Sequence, residues 1–137
     1  MFIFHRRVSL QDTDATGVLY FAQQFNMAMQ TFEEFLKERG FPIRQLFDSR
    51  YLMPIVHAES DYLAPVMIDD ELTIQMRVSR LGVSSITLDF ELCDVTRNIT
   101  VGKVKIVHVT VDREKRTPVP IPDFLKGILG VPSESKV

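Results

Sequence analysis

Gln11-Asp12-Thr13-Asp14-Ala15-Thr16-Gly17-Val18-Leu19-Tyr20-Phe21 is the junction around which the rest of the chain is organised. It follows a run rich in Phe, Ile and Val over residues 2–11, which predicts a first strand. It leads directly into the only long helical pattern in the chain. Asp12 and Thr13 are turn and cap formers, and Asp14 or Thr16 is the expected N-cap. Such a junction presents unpaired backbone N–H groups and the positive end of a helix dipole. A carboxylate just before those donors can attack an acyl carbon, or activate water, while the donors hold the developing oxyanion. On residue types alone, the reading of Asp12 and Asp14 as turn and cap residues only is the stronger one.

From Ala22 to Arg39, Phe25, Met29, Phe32 and Leu36 recur at helical spacing, and Ala28 and Phe35 widen the stripe. Gly40 and Pro42 end this amphipathic helix. Ile43 to Ser49 predicts a further helical turn or two. Leu52 to Leu63 is strand-like but broken by Pro54, which suits an edge. Glu71 to Arg80 alternates, with Leu72, Ile74, Met76 and Val78 on one face. Ile86, Leu88, Phe90 and Leu92 do the same in the next strand. Asp94 to Asn98 predicts a hairpin into a long strand, Ile99 to Val111, whose apolar phase slips between Val101 and Val104 as at a bulge. Pro118, Pro120 and Pro122 end the sheet, Asp123 to Leu129 predicts a short helix, and the tail from about residue 131 is expected to fray.

A wide-faced helix needs a sheet to bury it, and the strands offer one apolar face each. The reading is therefore an α+β fold: about five antiparallel strands wrapped around one long central helix, in a single domain over residues 1–137. Unpaired sheet edges favour pairing of copies into a homodimer or homotetramer.

Composition narrows the function classes. The chain of 137 residues is 45% hydrophobic and 25% charged with a net charge of −2, so nothing in bulk charge favours nucleic acid or an anionic membrane. The single cysteine, Cys93, rules out an intrachain disulfide and a Cys-rich zinc site. No apolar stretch approaches the roughly 20 residues that span a bilayer, and the N-terminus lacks the order of a secretory signal, so a cytoplasmic location is expected. His57 and His108 fall in strands without metal-ligand spacing, and each reads as a satisfied sheet histidine. No metal and no cofactor is expected.

Asp12-Thr13-Asp14-Ala15-x-Gly17-Val18-x-Tyr20-Phe21 before an amphipathic helix resembles the opening motif of hotdog-fold acyl-CoA thioesterases of the 4-hydroxybenzoyl-CoA thioesterase type. Asp61-Tyr62-Leu63-Ala64-Pro65, Asp69-Asp70-x-Leu72, Gly82-x-Ser84-Ser85 and Pro118-x-Pro120-Ile121-Pro122 extend the likeness from about residue 6 to residue 129. Within that superfamily the chain looks most like the 1,4-dihydroxy-2-naphthoyl-CoA hydrolases of phylloquinone synthesis. The related Tol-Pal-associated short-chain thioesterases usually carry a His seven residues after the catalytic Asp, and often a Tyr four residues before it. Here those positions are Phe21 and Leu10, which points away from that group.

The resemblance implies that Asp14 is the catalytic carboxylate, nucleophile or general base, that the Phe21 backbone N–H is an oxyanion donor, and that Gly17 allows close backbone approach. Asp12 keeps its structural reading. An acyl-CoA substrate brings phosphates that call for Arg or Lys, and CoA enters only as part of that substrate. Arg80 and Arg116 are the preferred pair for those phosphates, and Ser84 and Ser85 are candidate pocket-lining groups. Phe25, Met29 and Phe32 are mostly core, with one or two expected to touch an aromatic acyl group. A 4-hydroxybenzoyl-CoA or short-chain acyl-CoA thioesterase, and a non-catalytic acyl-CoA binding protein, are the alternatives.

Overall fold

The computed structural model describes residues 1–132; the frayed tail expected from about residue 131 falls mostly on residues 133–137, outside the described residues. Five antiparallel strands form one sheet in the order β1-β4-β5-β6-β3. They are β1 (Phe2–Arg7), β3 (Ile55–Tyr62), β4 (Glu71–Leu81), β5 (Ser85–Asp94) and β6 (Ile99–Val109). Two short strands, β2 (Tyr51–Leu52) and β7 (Val111–Asp112), pair with each other. The helices are α1 (Gln23–Glu38), α2 (Ile43–Asp48) and α3 (Asp123–Leu129). The 16-residue α1 is the longest of the three helices among the described residues; Gly40 at φ +76° and Pro42 separate it from α2, and α2 and α3 are short.

The alternation expected in β4 and β5 sets the core. Leu72, Ile74, Met76, Ile86, Leu88, Phe90 and Leu92 are buried on one sheet face against Met27, Ala28, Phe32, Phe35 and Leu36 of α1. The helix stripe is rotated from its expected position. Its buried line runs through Gln24, Met27, Ala28, Thr31, Phe32, Phe35 and Leu36, while Phe25 and Met29 are half-buried on its flank. Ala28 and Thr31, both 0% exposed, lie on the buried line, and Phe25 and Met29 pack against the core from beside it.

The expected slip in β6 is a bulge. Leu92 pairs with Gly102 but Cys93 with Thr100, so Val101 is the extra residue and both Val101 and Gly102 are buried. A Cβ at Gly102 would lie 2.0 Å from the Gln24 amide oxygen, so this glycine makes room for a polar side chain at the start of α1.

The first strand is shorter than residues 2–11. It ends at Arg7 because Asp12 reaches back to the Ser9 N–H (2.8 Å) and hydroxyl (3.0 Å), which folds Leu10–Asp12 into a 3-10 turn. Neither Asp14 nor Thr16 caps α1: the helix starts later, with Ala22 at the N-cap. Between lies a hairpin, held by the Thr13↔Leu19 bridge and clamped along Val66–Ile68 by the Val18↔Met67 bridge and the Leu19 N–H to Val66 C=O bond.

Candidate active site

Asp12 and Asp14 differ sharply in environment. The Asp12 side chain is 0% exposed and takes a two-pronged bond from Arg6, both distances 2.8 Å, together with the Gln23 amide at 2.9 Å. Burial alone raises its pKa, but the Arg6 guanidinium and the Ser9 donors outweigh that and hold it at about 2. Every strong donor near Asp12 is internal, so its role is to tie β1, the 3-10 turn and the head of α1 together.

Asp14 is exposed at the hairpin tip. Its Oδ1 accepts from the Thr16 hydroxyl at 2.6 Å and the Thr16 N–H at 2.8 Å. These bonds, hydroxyl first, lower its pKa below the ordinary 3.8, so the carboxylate is ionised at neutral pH. The other oxygen, Oδ2, faces no partner among the described residues. Asp14 C=O accepts the Gly17 N–H at 3.1 Å, and Gly17 completes the turn at φ +78°, a conformation that favours glycine.

The strand returning from the tip runs through Leu19 and Tyr20 into α1. Tyr20 N–H donates to Asp12 C=O at 2.9 Å and Gln23 N–H to Tyr20 C=O at 2.9 Å. The Phe21 N–H between them has no acceptor among the described residues, and Phe21 is 62% exposed. It stands at the positive end of a 16-residue helix. Asp14, Gly17 and Phe21 therefore lie on one connection between the 3-10 turn and α1.

Two residues near them carry roles that the sequence left unassigned. The Tyr62 hydroxyl donates to Phe21 C=O at 2.6 Å and so orients the Phe21–Ala22 peptide from the end of β3. Gln24 is buried and donates to the Ser60 hydroxyl (2.6 Å) and Asp61 C=O (3.1 Å), anchoring the first turn of α1 to the same strand. A polar residue in line with Ala28 and Phe32 was the available signal for Gln24. A cavity of about 350 Å³ opens here, lined by Val18, Leu19, Gln24, Tyr62, Leu63 and Val66 among others.

The remaining predicted residues are elsewhere. The Asp14 hairpin lies at the sheet end marked by Arg7, Glu71 and Asp94. Arg80 is exposed at the far end of β4, Ser84 lies in the β4–β5 turn and Ser85 begins β5. Ser84 C=O is held by the Thr110 N–H at 2.8 Å. Arg116 sits at φ +58° in the turn after β7. Nine residue steps of about 3.3 Å separate Glu71 from Arg80, roughly 30 Å, so a single chain does not bring these groups to Asp14. Among the described residues no three His, Cys, Asp or Glu side chains are arranged to hold a metal. Among the described residues no helix is long and apolar enough to cross a membrane.

His108 departs from its sequence reading as a satisfied sheet histidine. It is 2% exposed, and its Nδ1 meets Met53 C=O at 3.0 Å, but its buried Nε2 has no partner among the described residues.

Residues 8–129 match the family profile described as "Thioesterase-like superfamily". A 1,4-dihydroxy-2-naphthoyl-CoA hydrolase of Nostoc punctiforme is 32% identical over 123 residues, covering 89% of this chain and 82% of that protein. A hydrolase of the same description from Synechococcus elongatus is 30% identical over 133 residues, 96% of each chain. In fold, the chain is similar to the crystal structure of a 1,4-dihydroxy-2-naphthoyl-CoA thioesterase from Synechocystis, with a TM-score of 0.88, 24% identity, and 93% and 94% of the two chains covered. With the five-stranded antiparallel sheet and α1 against it, the match over nearly the whole chain makes this protein a member of the hotdog-fold, thioesterase-like superfamily.

Proposed function

We propose that the protein hydrolyses an aromatic acyl-CoA, 1,4-dihydroxy-2-naphthoyl-CoA in the first place, to the free acid and CoA. The observation that carries this is the presence, on one short connection, of an ionised Asp14 and a Phe21 N–H at the head of α1, where Asp14 Oδ2 and the Phe21 N–H have no partner among the described residues. The carboxylate either attacks the thioester carbon or takes a proton from an attacking water. In both routes the carbonyl oxygen gains charge that the Phe21 N–H and the helix dipole receive, and collapse expels the CoA thiolate. The two relatives that share about a third of their residues with this chain carry that substrate in their names. On this reading the protein works in phylloquinone synthesis in the cytoplasm.

The active form is a homodimer formed along β3. Among the described residues this strand pairs only with β6, which leaves its other edge open there, and Ile55, Val56 and Tyr62 are exposed on it. Antiparallel pairing of two β3 edges sets the Tyr62 end of one copy beside the Ile55 end of the other. It thereby brings the Asp14 hairpin of one copy to the sheet end that carries Arg80, Ser84, Ser85 and Arg116 in the second. Those groups then reach the CoA portion and its phosphates.

Thiol release from dihydroxynaphthoyl, 4-hydroxybenzoyl, benzoyl and short aliphatic CoA thioesters tests the proposal. A kcat/KM highest for the naphthoyl compound is expected. Preference for a short aliphatic thioester would remove the substrate assignment, and no turnover of any would leave an acyl-CoA binding protein.

A further inference from the structure

A second cavity, of about 470 Å³, lies between α1, α2 and the Tyr51–Met53 segment. Its walls include Met29 and Phe32 from α1, Leu46 and Phe47 from α2, and Met53. An apolar cavity of about 150 Å³ holds a benzene ring, so this one has room for a fused bicyclic aromatic. Its lining contains one buried polar atom without a partner, His108 Nε2. Met53 C=O can only accept, so Nδ1 carries the proton and Nε2 of the neutral ring is an acceptor. Burial lowers the His108 pKa below the ordinary 6.5, which keeps the ring neutral at pH 7. Phe32, with its ring centroid 5.4 Å from that of His108, helps fix the imidazole plane. Gln30 and Glu33 also line the cavity, on its exposed side, while Nε2 is buried beside apolar walls; such an acceptor calls for a ligand that is aromatic and carries an O–H donor.

We propose that this cavity receives the ring system of a hydroxylated aromatic acyl group, and that His108 Nε2 accepts the hydrogen bond of a ring hydroxyl and so selects for it. The assignment rests on the acyl-CoA thioesterase reading above and adds to it the group that reads the acyl portion. Within one chain the cavity is remote from the oxyanion donor. Phe32 lies eight residues along α1 from Gln24, about 12 Å, and His108 six residues along β6 from Gly102, about 20 Å. The cavity does lie at the sheet end that β3 pairing sets beside the hairpin of a second copy, since Ile55 pairs with His108. The thioester held at one copy's Asp14 thus extends its ring into the cavity of the other.

Equilibrium binding of free acids separates this proposal from the catalytic one, because it needs no turnover. The unmodified protein is expected to bind 1,4-dihydroxy-2-naphthoate about tenfold more tightly than 1-hydroxy-2-naphthoate, which lacks the hydroxyl remote from the carboxylate. His108→Phe should erase that ratio by weakening only the dihydroxy compound, and the kcat/KM ratio of the two CoA thioesters should fall in parallel. Equal binding of the two acids by the unmodified protein would overturn the proposal whatever the variant's stability. So would a ratio that survives in His108→Phe. His108-dependent discrimination with no thioester hydrolysed would uphold the cavity and refute the thioesterase reading. Hydrolysis indifferent to the remote hydroxyl would do the reverse.

Discussion

Asp12→Asn tests the division of labour between the two carboxylates. The substitution keeps the side chain's shape but replaces one acceptor oxygen with an NH₂ group that faces a donor. Asp12 now accepts two bonds from Arg6 at 2.8 Å, two from Ser9 and one from Gln23. Arg6 is only 19% exposed, so it cannot turn fully to water when its partner is lost. Removing one member of a wholly buried pair costs about 3–5 kcal/mol, and partial exposure of Arg6 places this case lower, at about 2–3 kcal/mol. The titration of Asp12 leads to a similar figure. Its carboxyl sits at about 2 against an ordinary 3.8. At about 1.4 kcal/mol per pH unit, this gap favours the native state by about 2 kcal/mol. The sign follows from the lowered value: the contribution is fully present above pH 3.8 and is lost as pH falls through about 2. Urea unfolding at pH 7 should show a midpoint about 1 M lower for Asp12→Asn, at a slope near 2 kcal/mol per molar. The two proteins should converge as the pH is lowered towards 2. A difference below about 0.5 kcal/mol at pH 7, or one that persists unchanged at pH 2, would refute the reasoning.

Two further perturbations probe the site's supports. Thr16→Val removes the hydroxyl that holds Asp14 Oδ1 at 2.6 Å, so the Asp14 pKa should rise towards 3.8. The acid limb of kcat/KM should then move to higher pH, while activity at pH 7 changes little; an unmoved limb would exclude Asp14 as the titrating group. Gly102→Ala places a Cβ 2.0 Å from the Gln24 amide and should displace it from Ser60 and Asp61. A loss of about 1–3 kcal/mol is expected in thermal or urea unfolding, and full wild-type stability would contradict the anchoring role given to Gln24.

Most of the fold was legible because local pattern and tertiary demand agree in it. The period-two alternation from Leu72 to Val78 and from Ile86 to Leu92 names the buried face residue by residue. Pro54 marks the break before the edge strand β3, and Gly40 with Pro42 marks the end of α1. The errors arise where a side chain competes with the pattern. Residues 8–11 read as strand, yet the Asp12 carboxylate draws the Ser9 N–H away from the sheet. Asp14 and Thr16 have cap chemistry, and they use it on each other within the hairpin, so α1 begins only after Ala22. In the site, the order Asp14, Gly17, Phe21 is local and could be read from the motif. Tyr62 and Gln24 bond between β3 and the head of α1, over separations of about 40 residues that no spacing rule detects. The same holds for His108, whose one unpartnered nitrogen depends on how α2 and the Met53 carbonyl fall around it.

On the proposed reading Asp14 supplies the reacting carboxylate and the Phe21 N–H, at the head of α1, receives the developing oxyanion. Asp14→Asn keeps the acceptor oxygen for Thr16 and removes the charge. Hydrolysis of 1,4-dihydroxy-2-naphthoyl-CoA by this variant, measured beside the wild type at pH 7, should fall by at least about 10²-fold in kcat with substrate binding retained. Wild-type kcat in Asp14→Asn would contradict the account.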